Sequence, residues 1–195
     1  MSWTWLDERP VMVAIAGPNG AGKTTFYHAH IEHAGLRLVN ADRLASELDL
    51  EPYAAARIAG SLRRELVRQR ESFAFETVFS DPVGDKLGFL KEAAALGYTV
   101  VMCFVGLSKA SLSAERVAMR VSQGGHDVPP EKLKSRFPRI LANLKSAIPV
   151  LPHVLVFDNS DLARPFRQVT AFENGVATQS PKPLPAWLRN IVENK

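Results

Sequence analysis

Two textures of hydrophobic and polar positions alternate along this chain. Short, nearly continuous apolar runs recur at 11–16, 36–39, 73–76, 99–105 and 154–157. Each is short and reads as a strand buried on both faces. Between them, apolar residues fall three or four apart at 23–32, 41–48, 54–71, 83–96, 107–123 and 131–147, which predicts helices. In the 54–71 helix the stripe is Ala55, Ile58, Leu62 and Leu66, with Arg57, Arg64 and Arg68 off it. In the last it is Leu133, Phe137, Leu141, Leu144 and Ile148, and Pro138 interrupts it, which predicts a kink or a fresh start. Gly97, just after Leu96, reads as a helix stop. Strand and helix in repeated alternation predict an α/β fold, with helices on both faces of a mainly parallel sheet.

The end of the chain has a different pattern. Residues 166–172 read as an edge strand, Glu173-Asn174-Gly175 as a hairpin turn, and 176–179 as the return strand. Pro181, Pro183 and Pro185 predict an extended linker, and 186–193 a short closing helix. A length of 195 residues suits one core. The expectation is a single domain over 1–195, with a C-terminal extension over about 161–195.

Composition narrows the setting. Hydrophobic residues make up 46% and charged residues 23%, ordinary for a globular protein. No apolar run is long enough to span a membrane, and the N-terminus lacks the pattern of a secretion signal, so a cytoplasmic protein is expected. The single cysteine, Cys103, excludes an internal disulfide and sits in an apolar run, as a core residue would. The net charge of +4 raises nucleic acid as a partner, but the basic residues are dispersed and no aromatic pattern interleaves them.

The chemistry starts after the first strand. Gly17-Pro18-Asn19-Gly20-Ala21-Gly22-Lys23-Thr24 fits G-x-x-x-x-G-K-[ST], between a predicted strand and a predicted helix. That context makes it a P-loop, so the expected fold is the three-layer α/β/α fold of P-loop NTPases. Backbone N–H groups of such a loop approach phosphate oxygens, and the helix N-terminus adds partial positive charge. Residues 17–24, with Thr25, form the expected ATP site; Lys23 would reach the outer phosphates and Thr24 would ligate Mg²⁺.

In an open parallel sheet, ligands lie beyond the carboxyl ends of the strands. Those ends carry Asn40-Ala41-Asp42-Arg43, Glu76-Thr77, Gly106-Leu107 and Asp158-Asn159-Ser160. Asp42 reads either as a helix cap, a role Asn40 also suits, or as a base taking a proton from an attacking hydroxyl. Glu76 ends an apolar run and needs a partner, which Mg²⁺ or a substrate hydroxyl would supply. Arg43 and Thr77 fall in the same substrate-side group, and Asn159 beside the nucleotide. Arg116 and Arg120 share one helical face, Gly124-Gly125 turn the chain, and Arg136 and Arg139 follow after Pro129-Pro130. Two basic faces around a glycine turn read as a lid over about 116–139, closing on a triphosphate, with His126, Arg136 and Arg139 as substrate contacts.

Together these segments resemble the zeta-toxin-like P-loop kinases, and their spacing resembles the small bacterial branch. The resemblance spans roughly residues 10–160. It implies an ATP-dependent phosphotransferase acting on the sugar hydroxyl of UDP-N-acetylglucosamine or a related small metabolite. It implies Asp42 as the base, Glu76 as a substrate-contacting carboxylate, and Arg116 or Arg120 with a later arginine as the charge-stabilising pair. It also brings in an antitoxin as partner. The chain is more compact than the larger toxins, which bears on the acceptor more than on the chemistry. Two other readings remain: a P-loop ATPase switch, with Asp158 as its strand-end aspartate, and a toxin that binds ATP and acts through a protein partner. No Asn-Lys-x-Asp signature for guanine is present.

Overall fold

The computed structural model describes residues 3–124, 127–179 and 183–192. Its centre is a seven-stranded sheet: β1 (Val11–Ala16), β2 (Arg37–Val39), β3 (Phe73–Thr77), β4 (Thr99–Gly106), β5 (His153–Asp158), β6 (Arg167–Glu173) and β7 (Val176–Gln179). The spatial order is β2-β3-β1-β4-β5-β6-β7. The first five strands are parallel, and β6 and β7 add on antiparallel. The chain leaves β1 toward one edge and crosses back after β3 toward the other. The loop after β1 therefore opens at the switch point between β3 and β4, where such sheets hold ligands.

Helices cover both faces. On one side pack α1 (Lys23–His30) and the N-terminal segment, burying Phe26, Tyr27, Ile31 and Trp5 against Val13, Ile15, Val101 and Cys103. The other side carries α3 (Pro52–Arg68), α4 (Asp85–Ala95), α6 (Pro130–Ala147) and α7 (Ala186–Val192), over Met12, Ala14, Phe73, Phe75 and Phe104. The short α2 (Ala41–Glu47) packs on α3, and α5 (Ala110–Ser122) on α6. Cys103 is fully buried, which pushes its thiol pKa up and leaves it inert.

Three expectations need correction. The 166–172 segment forms β6, but β7 covers it, so the edge strand is β7. The buried face of α3 runs through Ala55, Ala59 and Leu66, whereas Ile58 is 42% exposed. No fresh helix starts at Pro138, because α6 runs through it from Pro130 to Ala147. Pro138 is exposed, so water can satisfy the carbonyl that loses its intrahelical donor, while Leu133, Ile140 and Leu144 hold the other face in the core. No helix among the described residues is long and apolar enough to cross a membrane.

Candidate active site

The glycine loop is shaped by its neighbours. Gly17 has φ +144°, and a Cβ there would meet the Val105 carbonyl oxygen of β4 at 2.1 Å, so no larger residue fits. A Cβ on Gly20 would touch the Ser113 carbonyl and Arg116 Cβ at 3.0 Å, because α5 lies directly on the loop. Ser113 Oγ donates to the Asn19 carbonyl at 2.7 Å. Gly22, left-handed at φ 86°, caps the start of α1, a conformation that favours glycine. Lys23 Nζ donates to the carbonyls of Gly17 and Pro18 at 3.1 and 3.0 Å, which curls the loop around its own lysine.

A cavity of about 630 Å³ opens above this loop. From the ATP set, Asn19, Gly20, Gly22, Lys23, Thr24 and Thr25 line it, and Asp42, Glu76, Thr77, Arg116, Arg120 and Arg136 join them. The topology thus gathers the ends of β1 and β3, the start of α2, and α5 and α6. Gly17, Pro18 and Ala21 form the underside of the loop and do not line the cavity.

The two carboxylates stand differently. Asn40 caps α2: its Oδ1 accepts from the backbone N–H groups of Asp42 and Arg43 at 2.8 and 3.2 Å. Asp42 therefore has no capping duty, and its carboxylate faces the cavity. Glu76 is half-buried, and its Oε1 has no hydrogen-bond partner. Burial drives the Glu76 pKa up; the Lys23 charge and hydrogen bonds from Thr24 and Asn40 pull the other way, and the net direction is upward. Burial also lowers the Lys23 pKa, while Glu76 and Asp42 oppose that and Arg120 adds to it. These four groups share one electrostatic neighbourhood. Their fit to Mg²⁺ is chemical: an unsatisfied carboxylate oxygen beside a threonine hydroxyl is a hard-oxygen donor set. Among the described residues no group of three or more His, Cys, Asp or Glu gathers into a metal cage, so a cation here would take part of its shell from nucleotide phosphates.

The other expected site residues scatter. Arg116 Nη2 donates to the Ser160 carbonyl at 3.3 Å; burial lowers its pKa, and Asp158 opposes the shift. Asn159 lies under the loop: its Nδ2 donates to the Ala21 carbonyl at 2.8 Å and its Oδ1 accepts from Phe166 N–H at 3.2 Å. Arg43 points away, pairing with Glu47 at 2.6 Å. Arg139 is exposed and off the cavity, because Leu133, Ile140 and Leu144 turn the inner face of α6 elsewhere. Thr77 Oγ1 accepts from Phe79 N–H at 3.0 Å, setting the turn after β3. Gly125 and His126 lie outside the described residues. Asp158, the candidate aspartate of an ATPase switch, accepts from Ser160 and Arg167 and does not line the cavity; Glu76 is the strand-end carboxylate beside Thr24.

Sequence reasoning missed several cavity residues. Tyr53 and Arg63 on α3, Ser80 after β3 and Lys86 on α4 all line it. Ser113 and Asn143 were missed as supports; Asn143 Nδ2 donates to the carbonyls of Phe79 and Asp81, both at 3.0 Å, and so ties α6 to the β3 loop.

Residues 42–169 match the profile of the Zeta toxin family, well over half of the chain. The chain belongs to that family. The match begins at Asp42, so it rests on a different stretch from the P-loop motif. A Haemophilus influenzae protein of uncharacterized function is 25% identical over 130 residues, 64% of this chain and 91% of that protein. Among solved structures, a chain of the AvrRxo1-ORF1:AvrRxo1-ORF2 complex with sulphate ions superposes with a TM-score of 0.72 at 16% identity, over 97% of this chain and 66% of that one. The same complex with ATP gives 0.70 at 17%, over 90% and 63%. The PezAT toxin-antitoxin system of Streptococcus pneumoniae gives 0.66 at 13%, over 96% and 80%. This zeta-toxin chain therefore shares their P-loop kinase fold, and it spans just under two thirds of the AvrRxo1 chains it matches.

Proposed function

We propose that this zeta-toxin family member is an ATP-dependent kinase that moves the γ-phosphoryl group to a hydroxyl of a small metabolite. The observation that supports it most is the pair of carboxylates, Asp42 and Glu76, facing the P-loop lysine across one cavity. In this reading the acceptor hydroxyl oxygen attacks the γ-phosphorus, the bond to the bridging oxygen breaks, ADP leaves, and the hydroxyl proton passes to Asp42. Lys23, Arg116 and Arg120 offset charge on the transferring group. Mg²⁺, held by Thr24 with Glu76 beside it, would supply further neutralisation of the phosphates.

The finer reading takes a sugar nucleotide such as UDP-N-acetylglucosamine as acceptor and an antitoxin protein as partner. It treats about 116–139 as a lid and about 161–195 as an extension of a single kinase domain. Support for a protein partner comes only from the likeness to toxin-antitoxin assemblies. The test is ATP consumption against a panel of sugar nucleotides and amino sugars, with mass detection of the phosphorylated product. Acceptor-dependent ADP release is expected. ADP release that ignores every acceptor would instead favour an ATPase switch.

A further inference from the structure

Six cations line the cavity among its described residues, Lys23, Arg63, Lys86, Arg116, Arg120 and Arg136, against the carboxylates Asp42 and Glu76. In the kinase reading, nucleotide phosphates account for those rooted on the donor walls. Lys23 belongs to the loop, Arg116 and Arg120 to the helix lying on it, and Arg136 to the neighbouring α6. Lys86 is paired with Asp81 at 3.5 Å. Arg63 differs from all of these. It sits on α3, four residues after Ala59 and three before Leu66, on the face that otherwise carries the buried stripe.

Its guanidinium carbon lies 4.9 Å from the centre of the Phe75 ring and 6.0 Å from that of Phe89. Among the described residues no carboxylate forms an ion pair with it. Burial lowers its pKa, with Arg64 adding to the shift and no acid opposing it. A half-buried cation stacked on rings and lacking an anion is costly unless something else balances it. The rings can cover only the face of a guanidinium. Its in-plane N–H donors form a fork that suits a phosphate or carboxylate, and Arg63 is one of the residues lining the cavity. The wall is the acceptor wall, because α3 follows and packs on α2, whose first turn carries Asp42.

We infer that Arg63 anchors an anionic group, phosphate or carboxylate, on the acceptor, so that this protein selects charged metabolites over neutral sugars. The inference rests on the kinase reading for the word acceptor, and its test separates the two. Three compounds share one sugar: N-acetylglucosamine, its 1-phosphate and UDP-N-acetylglucosamine. With ATP and Mg²⁺, the whole chain is expected to use the two anionic forms with a KM at least about tenfold below that of the neutral sugar. Arg63→Met is expected to raise the KM for anionic acceptors about tenfold or more, while the KM for ATP moves less than about twofold. Arg63→Lys keeps the charge over the rings and loses the fork, so it is expected to fall between, and it decides the matter if the Met variant does not fold. An unchanged acceptor KM, an equal rise in the KM for ATP, or a neutral sugar used as well as its phosphate overturns the inference. If none of the three is phosphorylated, the kinase reading loses these acceptors and Arg63 is judged on binding. Inorganic phosphate, and acetate as the carboxylate arm, are titrated into protein saturated with Mg²⁺ and a non-hydrolysable ATP analogue. Binding of either anion that weakens in Arg63→Lys supports the anion site. Equal binding in both proteins, or none in either, overturns it.

Discussion

The two sides of the cavity are built differently. On the donor side nearly every polar group is tied: Lys23 to the carbonyls of its own loop, Ser113 to Asn19, Asn159 to Ala21, Arg116 to Ser160. On the acceptor side the functional groups are tied less completely: Glu76 takes hydrogen bonds from Thr24 and Asn40 but its Oε1 has none, and Arg63 rests on two phenyl rings. In the proposed kinase reading the donor side is preorganised for one ligand of fixed shape, a triphosphate. The acceptor side stores an unsatisfied buried atom, Glu76 Oε1, at a cost of about 1–3 kcal/mol. It recovers that only when a ligand arrives. Preorganisation favours binding; unsatisfied groups favour discrimination, since a wrong acceptor leaves them unsatisfied.

The sharpest way to break this comparison is to remove the centre of the donor side. Lys23→Ala should lower phosphotransfer on the order of 10³-fold, the upper end for losing one charge-stabilising donor. Circular dichroism should show the fold intact, because Lys23 bonds only loop carbonyls. Transfer close to wild type would mean that the loop is not the phosphate site.

Next in size is Asp42→Asn. A loss on the order of 10²-fold in kcat is expected, with the KM for ATP unchanged. Because Asn40 supplies the α2 cap, the melting temperature should not move. A variant that melts earlier yet keeps its rate would return Asp42 to a structural role.

How far these features could be read from sequence depends on how far apart their partners lie. The parallel strands were legible because burial on both faces makes them short apolar runs, and the predicted and observed β1 coincide at 11–16. The P-loop was legible because its chemistry sits in eight consecutive residues. What failed was long-range. The tie from Ser113 to Asn19 spans 94 residues, so nothing near either residue announces it. Arg63 carries no local signal among the arginines of its helix; only the fold brings Phe75 and Phe89 beneath it. The choice between Asn40 and Asp42 as cap needed the direction of two side chains, which no spacing supplies. The hairpin and its return strand over 176–179 were legible from the Glu173-Asn174-Gly175 turn, but which of the two strands takes the sheet edge depends on β6 pairing with β5, a contact between distant segments.

A smaller effect sharpens the acceptor half. Glu76 has a folded-state pKa raised by burial, and the attraction of Lys23 does not cancel that. The sign follows: relative to a neutral side chain, stability is fully present below the unfolded carboxylate value of about 4.3, and is lost as pH rises through the raised folded value. Glu76→Gln should therefore raise the melting temperature of the nucleotide-free protein at pH 7–8 by about 2–4 °C, for roughly 1 kcal/mol. The gain should vanish as pH falls toward 4, where wild type is itself protonated. The same variant should transfer phosphate more slowly. A gain that is constant with pH would mean that Gln simply packs better and that no charge is stored there.

The smallest expected effect tests whether the ties make the donor side what it is. Ser113 is buried, and its hydroxyl is the donor that pins α5 to the loop at Asn19. Ser113→Ala removes one neutral hydrogen bond, about 1 kcal/mol, without changing any group that touches the acceptor. If that bond serves to hold the loop in its phosphate-binding shape, the KM for ATP should rise up to about fivefold while the acceptor KM stays put, measured with both substrates varied. If it only fastens a helix, the melting temperature should drop by a few degrees with both KM values unchanged. The second result would move the origin of donor-side order away from α5, to the contact of Gly17 with β4 and the anchoring of Ala21 by Asn159. Neither of those depends on the arginine-bearing helix, and the loop would then be formed before any lid is in place.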